Sequence, residues 1–170
     1  KTFTGYQNLM KMVSLANIEG FSYKPRIDLE ILEQHKKGVI ILSGCMSSLT
    51  SRLLRDGKND QALELFKKFK KMFGQDYYVE LQSHPTIPEE KDLNKKLIAI
   101  ARKLDIPLVA TNDVHYVEAD DAEAQDALLC VQTRKLISDK KRMKMIDNPD
   151  FYFKSTQEMQ DLFADIPEAI

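Results

Sequence analysis

The sequence predicts an α/β fold in which short parallel strands alternate with helices. Three runs with strand character, 39–42, 76–84 and 108–110, are separated by segments with helical periodicity. The first and third runs are continuously apolar, which is typical of parallel strands covered on both faces. Alternating helices and strands indicate a parallel sheet or barrel, and 170 residues suffice for one domain with a hydrophobic core.

Helical segments surround these strands. Thr4 has capping-box spacing to Gln7 at the start of the first helix, and Asp28 and Asn59 are in position to cap two later helices. Gly74 is placed to end the fourth helix, which has lysines along its outer side. The predicted helices are 4–20, 29–35, 47–55, 60–73, 87–104 and 120–130.

The composition indicates a soluble globular protein. The chain is 43% hydrophobic and 30% charged, and its net charge of −1 gives no sign of a nucleic-acid partner. It contains no apolar run long enough to cross a membrane and no signal-peptide pattern. Cys45 and Cys130 do not form a Cys-x-x-Cys pair. We therefore expect a cytoplasmic protein with reduced thiols and no membrane contact.

Residues with ligand chemistry follow all three strands. Asp113 and His115 follow the third strand and would point to the same side of an extended segment, which suits a divalent metal. The Asp-x-His spacing is weak by itself, because a strand-end aspartate can also cap a helix. Cys45 follows the first strand as a thiolate ligand or, more commonly, a buried small side chain. His84 follows the second strand as a ligand, a phosphate contact or a turn residue.

The strand at 76–84 has one polar face. Tyr78, Glu80, Gln82 and His84 alternate with apolar residues and so lie on one side of the strand. Two amide or carboxylate side chains on one side of a core strand are unusual if that face is packed. In a barrel, this side could line a polar interior.

The C-terminal part is less regular. The segment 133–149 is basic, 151–153 is a short extended piece, and Ser155 with Glu158 has capping-box spacing. The basic segment is either a solvated loop or a contact to DNA phosphates or a neighbouring domain. The residues that would make such a contact are Arg134, Lys135, Lys140, Lys141 and Arg142.

A family resemblance rests on six segments spread over the chain, at 5–14, 23–28, 40–45, 78–82, 108–116 and 163–170. The segment 108–116 includes Asp113 and His115, and the segment 40–45 ends in Cys45. Together these segments resemble the PHP (polymerase and histidinol phosphatase) domain of bacterial DNA polymerase III alpha subunits.

The resemblance implies a distorted seven-stranded (β/α) barrel that holds up to three zinc, manganese or iron ions for phosphoester hydrolysis. Asp113 and His115 match the closing Asp-x-His of the family. Cys45 matches the ligand after the Ile-Leu-Ser-Gly strand, where stand-alone PHP enzymes usually carry histidine. Some such domains are 3′–5′ exonucleases, whereas others are scaffolds that dock a separate proofreading exonuclease subunit.

The opening His-x-His motif of the family is absent. The resemblance therefore implies that 1–132 is the later part of a PHP domain and that 133–170 is a basic loop and helical connection towards the polymerase core. It also implies a fragment that is inactive alone, within a subunit that acts on DNA and binds magnesium at a polymerase site outside this chain. The alternative is a purely structural docking module for the exonuclease and other replicase subunits.

Overall fold

A small parallel sheet lies at the centre of the fold. The computed structural model describes residues 1–170 and contains strands β1 (Ile41–Leu42), β2 (Tyr77–Leu81) and β3 (Leu108–Ala110) in the order β1-β2-β3. Ile41 pairs with Tyr77, and Val79 pairs with Leu108, both in parallel register. The predicted α/β class is confirmed. The three-stranded sheet does not by itself amount to a seven-stranded barrel.

Helices connect the strands, as the alternating pattern predicts. The order is α1 and α2, then β1, α3, α4, β2, α5, β3, α6 and α7, with short 3-10 turns at Gly74–Asp76, Ala119–Asp121 and Pro167–Ala169. The helices are α1 (Phe3–Ile18), α2 (Leu29–Gln34), α3 (Leu49–Arg55), α4 (Asn59–Phe73), α5 (Pro88–Leu104), α6 (Ala122–Thr133) and α7 (Thr156–Leu162).

Two of the predicted helix starts are wrong. The helix α1 is capped by Thr2, whose backbone is extended and whose side chain accepts from the Gly5 amide at 3.1 Å, so Thr4 already lies inside the helix. Asn59 is the first residue of α4 and makes no cap. The caps at Asp28 and at Ser155, the latter with a complete capping box, are confirmed.

The core forms where α4 and α5 pack against β2. Tyr77, Val79 and Leu81 are buried, whereas Tyr78 and Glu80 are half-buried, so the predicted alternation of β2 is confirmed. The main apolar cluster contains 14 buried residues drawn mainly from these elements, α3 and the C-terminal turn. Because β2 lies between β1 and β3 and all three strands are parallel, their carboxyl ends lie along one edge of the sheet.

Residues 150–154 lie beside the turn that follows β3. Tyr116 and Tyr152 form an isolated parallel bridge, and a second small cluster contains Tyr116, Ala122 and Phe151. No helix is both long and apolar enough to span a membrane.

Candidate functional site

Asp113 and His115 are in contact just beyond the carboxyl end of β3. The Nε2 atom of His115 lies 3.3 Å from Oδ1 of Asp113, and both side chains are more than one-third exposed. Asp113 has φ +55°, so the segment is a left-handed turn rather than the extended segment we expected. The two side chains therefore meet across a turn. The prediction that they would meet through alternation along a strand is wrong. An accessible carboxylate beside an imidazole can supply two ligands to a divalent metal.

Cys45 is exposed, so the interpretation as a buried small side chain is wrong. It follows Gly44, whose φ of +82° turns the chain out of the sheet, and it lines a cleft with Glu80, Gln82 and Glu90. No group of three or more His, Cys, Asp or Glu side chains is placed to hold a metal ion. The structure therefore brings Asp113 and His115 together and leaves Cys45 apart from them.

A polar network covers the face of β2 that we expected to be polar. The Glu80 carboxylate accepts from the Thr111 hydroxyl at 2.6 Å and, more weakly, from the Gln82 amide at 3.4 Å. The hydroxyl of Ser43 accepts from the Glu80 backbone amide at 2.9 Å and so ties β1 to β2. Sequence reasoning identified Glu80 and Gln82 but missed Ser43 and Thr111, whose role depends on strand register.

His84 is buried and paired. Its Nδ1 lies 2.9 and 3.0 Å from the two carboxylate oxygens of Glu90, and its backbone amide donates to the same carboxylate at 2.7 Å. Because a carboxylate accepts, Nδ1 carries the proton of this contact. The ring stacks on Phe151 at 4.3 Å between centroids, and Nε2 is buried without a hydrogen-bond partner. Of the three readings of His84, this geometry accounts best for a structural turn residue.

The segment 150–154 surrounds the Asp113–His115 turn. The His115 amide donates to the Phe151 carbonyl at 2.8 Å, and the side-chain amide of Asn112 donates to the Tyr152 carbonyl at 2.9 Å. The ring of His115 meets Phe151 edge-on at 5.3 Å. Lys154 is only 8% exposed and donates to Oδ1 of Asn112 at 3.2 Å. Burial lowers the pKa of Lys154, although the charges of Asp150, Glu158 and Glu90 oppose that shift.

The cationic side chains of the basic loop, 133–149, differ in orientation. Arg142 points inward and forms a two-pronged ion pair with Asp126, at 2.7 and 2.6 Å. Hydrogen bonding to Arg142 lowers the pKa of Asp126, and hydrogen bonding to Asp126 raises the pKa of Arg142. Arg142 is therefore occupied within the fold. The residues that remain exposed to solvent are Arg134, Lys135, Lys140 and Lys141.

Comparison with known proteins gives one consistent family. The PHP domain family matches residues 1–84. DNA polymerase III subunit alpha of Treponema pallidum is 46% identical over 171 residues, and the same subunit of Borreliella burgdorferi is 44% identical over 170 residues; both alignments cover 100% of this chain. The subunit of Thermus aquaticus is 40% identical over 169 residues and 99% of this chain. The chain spans 15% of the Borreliella protein, 14% of the Treponema protein and 13% of the Thermus protein. The chain therefore belongs to the family of bacterial DNA polymerase III alpha subunits, and its residues 1–84 match the PHP domain.

Proposed function

We propose that this chain is a PHP-domain segment of a replicative DNA polymerase alpha subunit and supplies part of a metal-dependent phosphoesterase centre. The polymerase reaction, a nucleotidyl transfer to DNA that uses magnesium, belongs to other parts of that subunit. The subunit would work in the cytoplasm, on DNA, together with a proofreading exonuclease and other replicase subunits. The small parallel sheet is proposed to be one part of the distorted (β/α)7 barrel of this family.

The contact between Asp113 and His115 carries this proposal. Its place at the carboxyl end of a parallel strand is where α/β proteins gather catalytic groups. The two side chains offer an oxygen and a nitrogen, which suit zinc, manganese or iron. They fit such a metal only in part, because a site needs about four ligands and this chain places no third one beside them.

The remaining groups have separate roles in the proposal. Cys45 lies after β1 and is a candidate ligand of a second ion in the same centre. The network of Glu80, Gln82 and Thr111 holds the carboxyl ends of β2 and β3 together beneath that centre. A divalent ion bound there would act as a Lewis acid on a phosphoester oxygen. The contacts of His84 with Glu90 and Phe151 account for a structural role, and His84 stays a second-tier ligand candidate only through its Nε2, which has no hydrogen-bond partner.

The test is metal content and 3′-end hydrolysis in the intact alpha subunit. We expect Asp113→Ala to remove bound metal, measured by elemental mass spectrometry, and to abolish metal-dependent 3′–5′ hydrolysis while leaving polymerisation intact. Asp120→Ala, an exposed aspartate on the following turn, is the matched control. If Asp113→Ala keeps both the metal and the hydrolysis, the centre is elsewhere and this proposal is wrong.

The second candidate function is a structural docking module. It is favoured by the lack of a three-ligand group in this chain and by the apolar side of α1, where Phe3, Tyr6 and Val13 are more than half exposed. Under this alternative, Asp113→Ala would leave hydrolysis unchanged. Substituting Val13 would instead weaken assembly with the exonuclease subunit or the polymerase core. Size-exclusion binding assays with the two variants side by side would separate the two functions.

The exposed cations of the basic loop are proposed to contact DNA phosphates or a neighbouring domain. Neutralising Lys140 and Lys141 together should make DNA affinity less dependent on salt concentration. The change in slope should correspond to the loss of roughly two phosphate contacts, because each phosphate that the protein neutralises releases counterions. Neutralising Lys67 and Lys68 together, which are both exposed on α4, removes the same amount of charge and is the control. An unchanged salt dependence would assign these lysines to a solvated loop.

A further inference from the structure

We propose that Lys154 is a positioning residue that holds the Asp113–His115 pair in place through Asn112. The inference rests on the metal-binding role proposed above for that pair. Lys154 lies 42 residues from Asn112 in the sequence, and neither residue was a candidate from the sequence pattern.

The Lys154 ammonium makes its contacts with groups inside the protein. Its ammonium donates to Oδ1 of Asn112 at 3.2 Å and to the carbonyl of Asp150, and it lies 4.4 Å from the centre of the Tyr152 ring. The residue is 8% exposed, so the ammonium has given up most of its hydration, which is costly for a cation. With its donors occupied in this way, Lys154 is placed to order the protein rather than to contact a substrate phosphate.

Asn112 uses both ends of its side-chain amide. The nitrogen donates to the Tyr152 carbonyl at 2.9 Å, and the oxygen accepts from Lys154 at 3.2 Å. These partners fix the orientation of the amide, because a flipped amide would face a carbonyl with its oxygen and an ammonium with its nitrogen. Asn112 is thereby anchored to the segment 152–154 on the residue directly before Asp113.

Asp113 is the residue that needs such an anchor. Its φ of +55° lies in the left-handed region, which costs energy for a residue with a Cβ atom, although aspartate adopts it more readily than most. On the far side of the turn, the His115 amide donates to the Phe151 carbonyl at 2.8 Å. The two residues between these anchors, Asp113 and Val114, are thus held at both ends by the same segment.

The exposed contact between Asp113 and His115 is too weak to fix its own geometry. Both side chains are more than one-third exposed, and ion pairs that face water contribute little. The spacing of the carboxylate and the imidazole is therefore set by the backbone anchors. Removing Lys154 frees the Asn112 oxygen and loosens the turn, and groups that orient metal ligands typically change metal affinity by roughly 10-fold or more.

The experiment uses the intact alpha subunit and Co²⁺ as the probe. We expect Lys154→Met to weaken Co²⁺ binding roughly 10-fold and to change its visible absorption, while polymerisation is unchanged. Lys154→Arg, which keeps the charge and the donors, should restore most of the affinity. Lys144→Met, at an exposed lysine of the neighbouring loop paired with Asp147, is the control and should leave binding unchanged.

A double-mutant cycle tests whether Lys154 acts through Asn112. Asn112→Ala should weaken Co²⁺ binding at least as much as Lys154→Met, because it also removes the hydrogen bond to the Tyr152 carbonyl. The double variant should bind Co²⁺ no more weakly than Asn112→Ala alone, because the contact of Lys154 with Asn112 is then already lost. Additive losses would show that Lys154 acts by another route and would overturn the inference. If Lys154→Met does not fold, Co²⁺ binding by Asn112→Ala still tests the inference.

Amide hydrogen exchange without metal separates this inference from the proposed function. Lys154→Met should speed exchange of the amides at 112–116, and Lys144→Met should not. If the wild-type subunit binds no Co²⁺ through Asp113, the metal role is wrong, but faster exchange in Lys154→Met still supports the positioning role. If Co²⁺ binds and Lys154→Met changes neither affinity nor exchange, the positioning role is wrong and the metal role stands.

Discussion

Removing the Glu90 carboxylate should destabilise the fold by several kcal/mol. Glu90 is 4% exposed and accepts from two donors of one residue, the backbone amide and the Nδ1 of His84. Both donors are buried, so water cannot replace the lost acceptor. This pair fixes the loop after β2 against the start of α5, next to the Asp113–His115 turn.

The expected loss of unfolding free energy follows from the number of buried donors that lose their acceptor. Leaving one buried donor unsatisfied costs about 1–3 kcal/mol, so Glu90→Ala should cost roughly 2–6 kcal/mol for the two donors. Glu90→Gln keeps one carbonyl oxygen that can accept from one of them, so its cost should be about half, roughly 1–3 kcal/mol. Glu89→Ala, at the exposed neighbouring residue, should stay within about 0.5 kcal/mol.

Urea unfolding followed by far-UV circular dichroism gives these free energies. The reasoning predicts the order Glu90→Ala, Glu90→Gln, Glu89→Ala, from the most to the least destabilised. A cost below about 1 kcal/mol for Glu90→Ala would refute it, because it would mean that His84 finds other acceptors or water once Glu90 is gone.

Two further changes test other parts of the structure. Hydrogen bonds from Tyr152 and Ser155 lower the pKa of Glu158 from 4.5 to about 2, so its stabilisation is complete above the unfolded pKa and lost as pH falls from there towards 2. Unfolding free energies measured between about pH 5 and about pH 3 should fall less steeply for Glu158→Gln than for wild type; equal slopes would contradict this. Gly5→Ala should destabilise the chain by about 1–3 kcal/mol in urea unfolding, because its Cβ would lie 1.9 Å from the Gly38 carbonyl oxygen. Lys11→Ala on the same helix is its control, and a stabilised Gly5→Ala would show that the two segments can move apart.

Local features of this fold could be predicted from the sequence because their causes are local. The alternation of β2 follows from apolar residues at every second position, and the caps at Asp28 and Ser155 follow from their spacing to the next backbone amides. Thr2 was missed because Thr4 offers a similar capping signal two residues later, and only the backbone geometry shows which one is extended.

The candidate site was only partly predictable because its supports are distant in sequence. Asp113 and His115 could be found from their residue types, but their contact depends on a left-handed turn that no sequence pattern predicted. Asn112 and Lys154 are 42 residues apart, and Arg142 and Asp126 are 16 apart. Such pairs become visible only when the packing of the chain is known. One signal was present: Lys154 ends an otherwise aromatic run at 151–153, where an apolar residue would be expected of a plain core strand.

The distribution of buried charge favours a positioned site over a simple scaffold. Lys154 and the His84–Glu90 pair are each less than one-tenth exposed, and both adjoin the segment that holds the Asp113–His115 turn. Buried polar and charged groups are costly, and apolar residues of similar volume often serve stability as well or better. A module that only docks other subunits would need a stable surface and no such groups beneath one short turn. A turn whose two exposed side chains must keep a fixed spacing for a metal does need them, since hydrogen bonds specify orientation in a way that apolar packing does not.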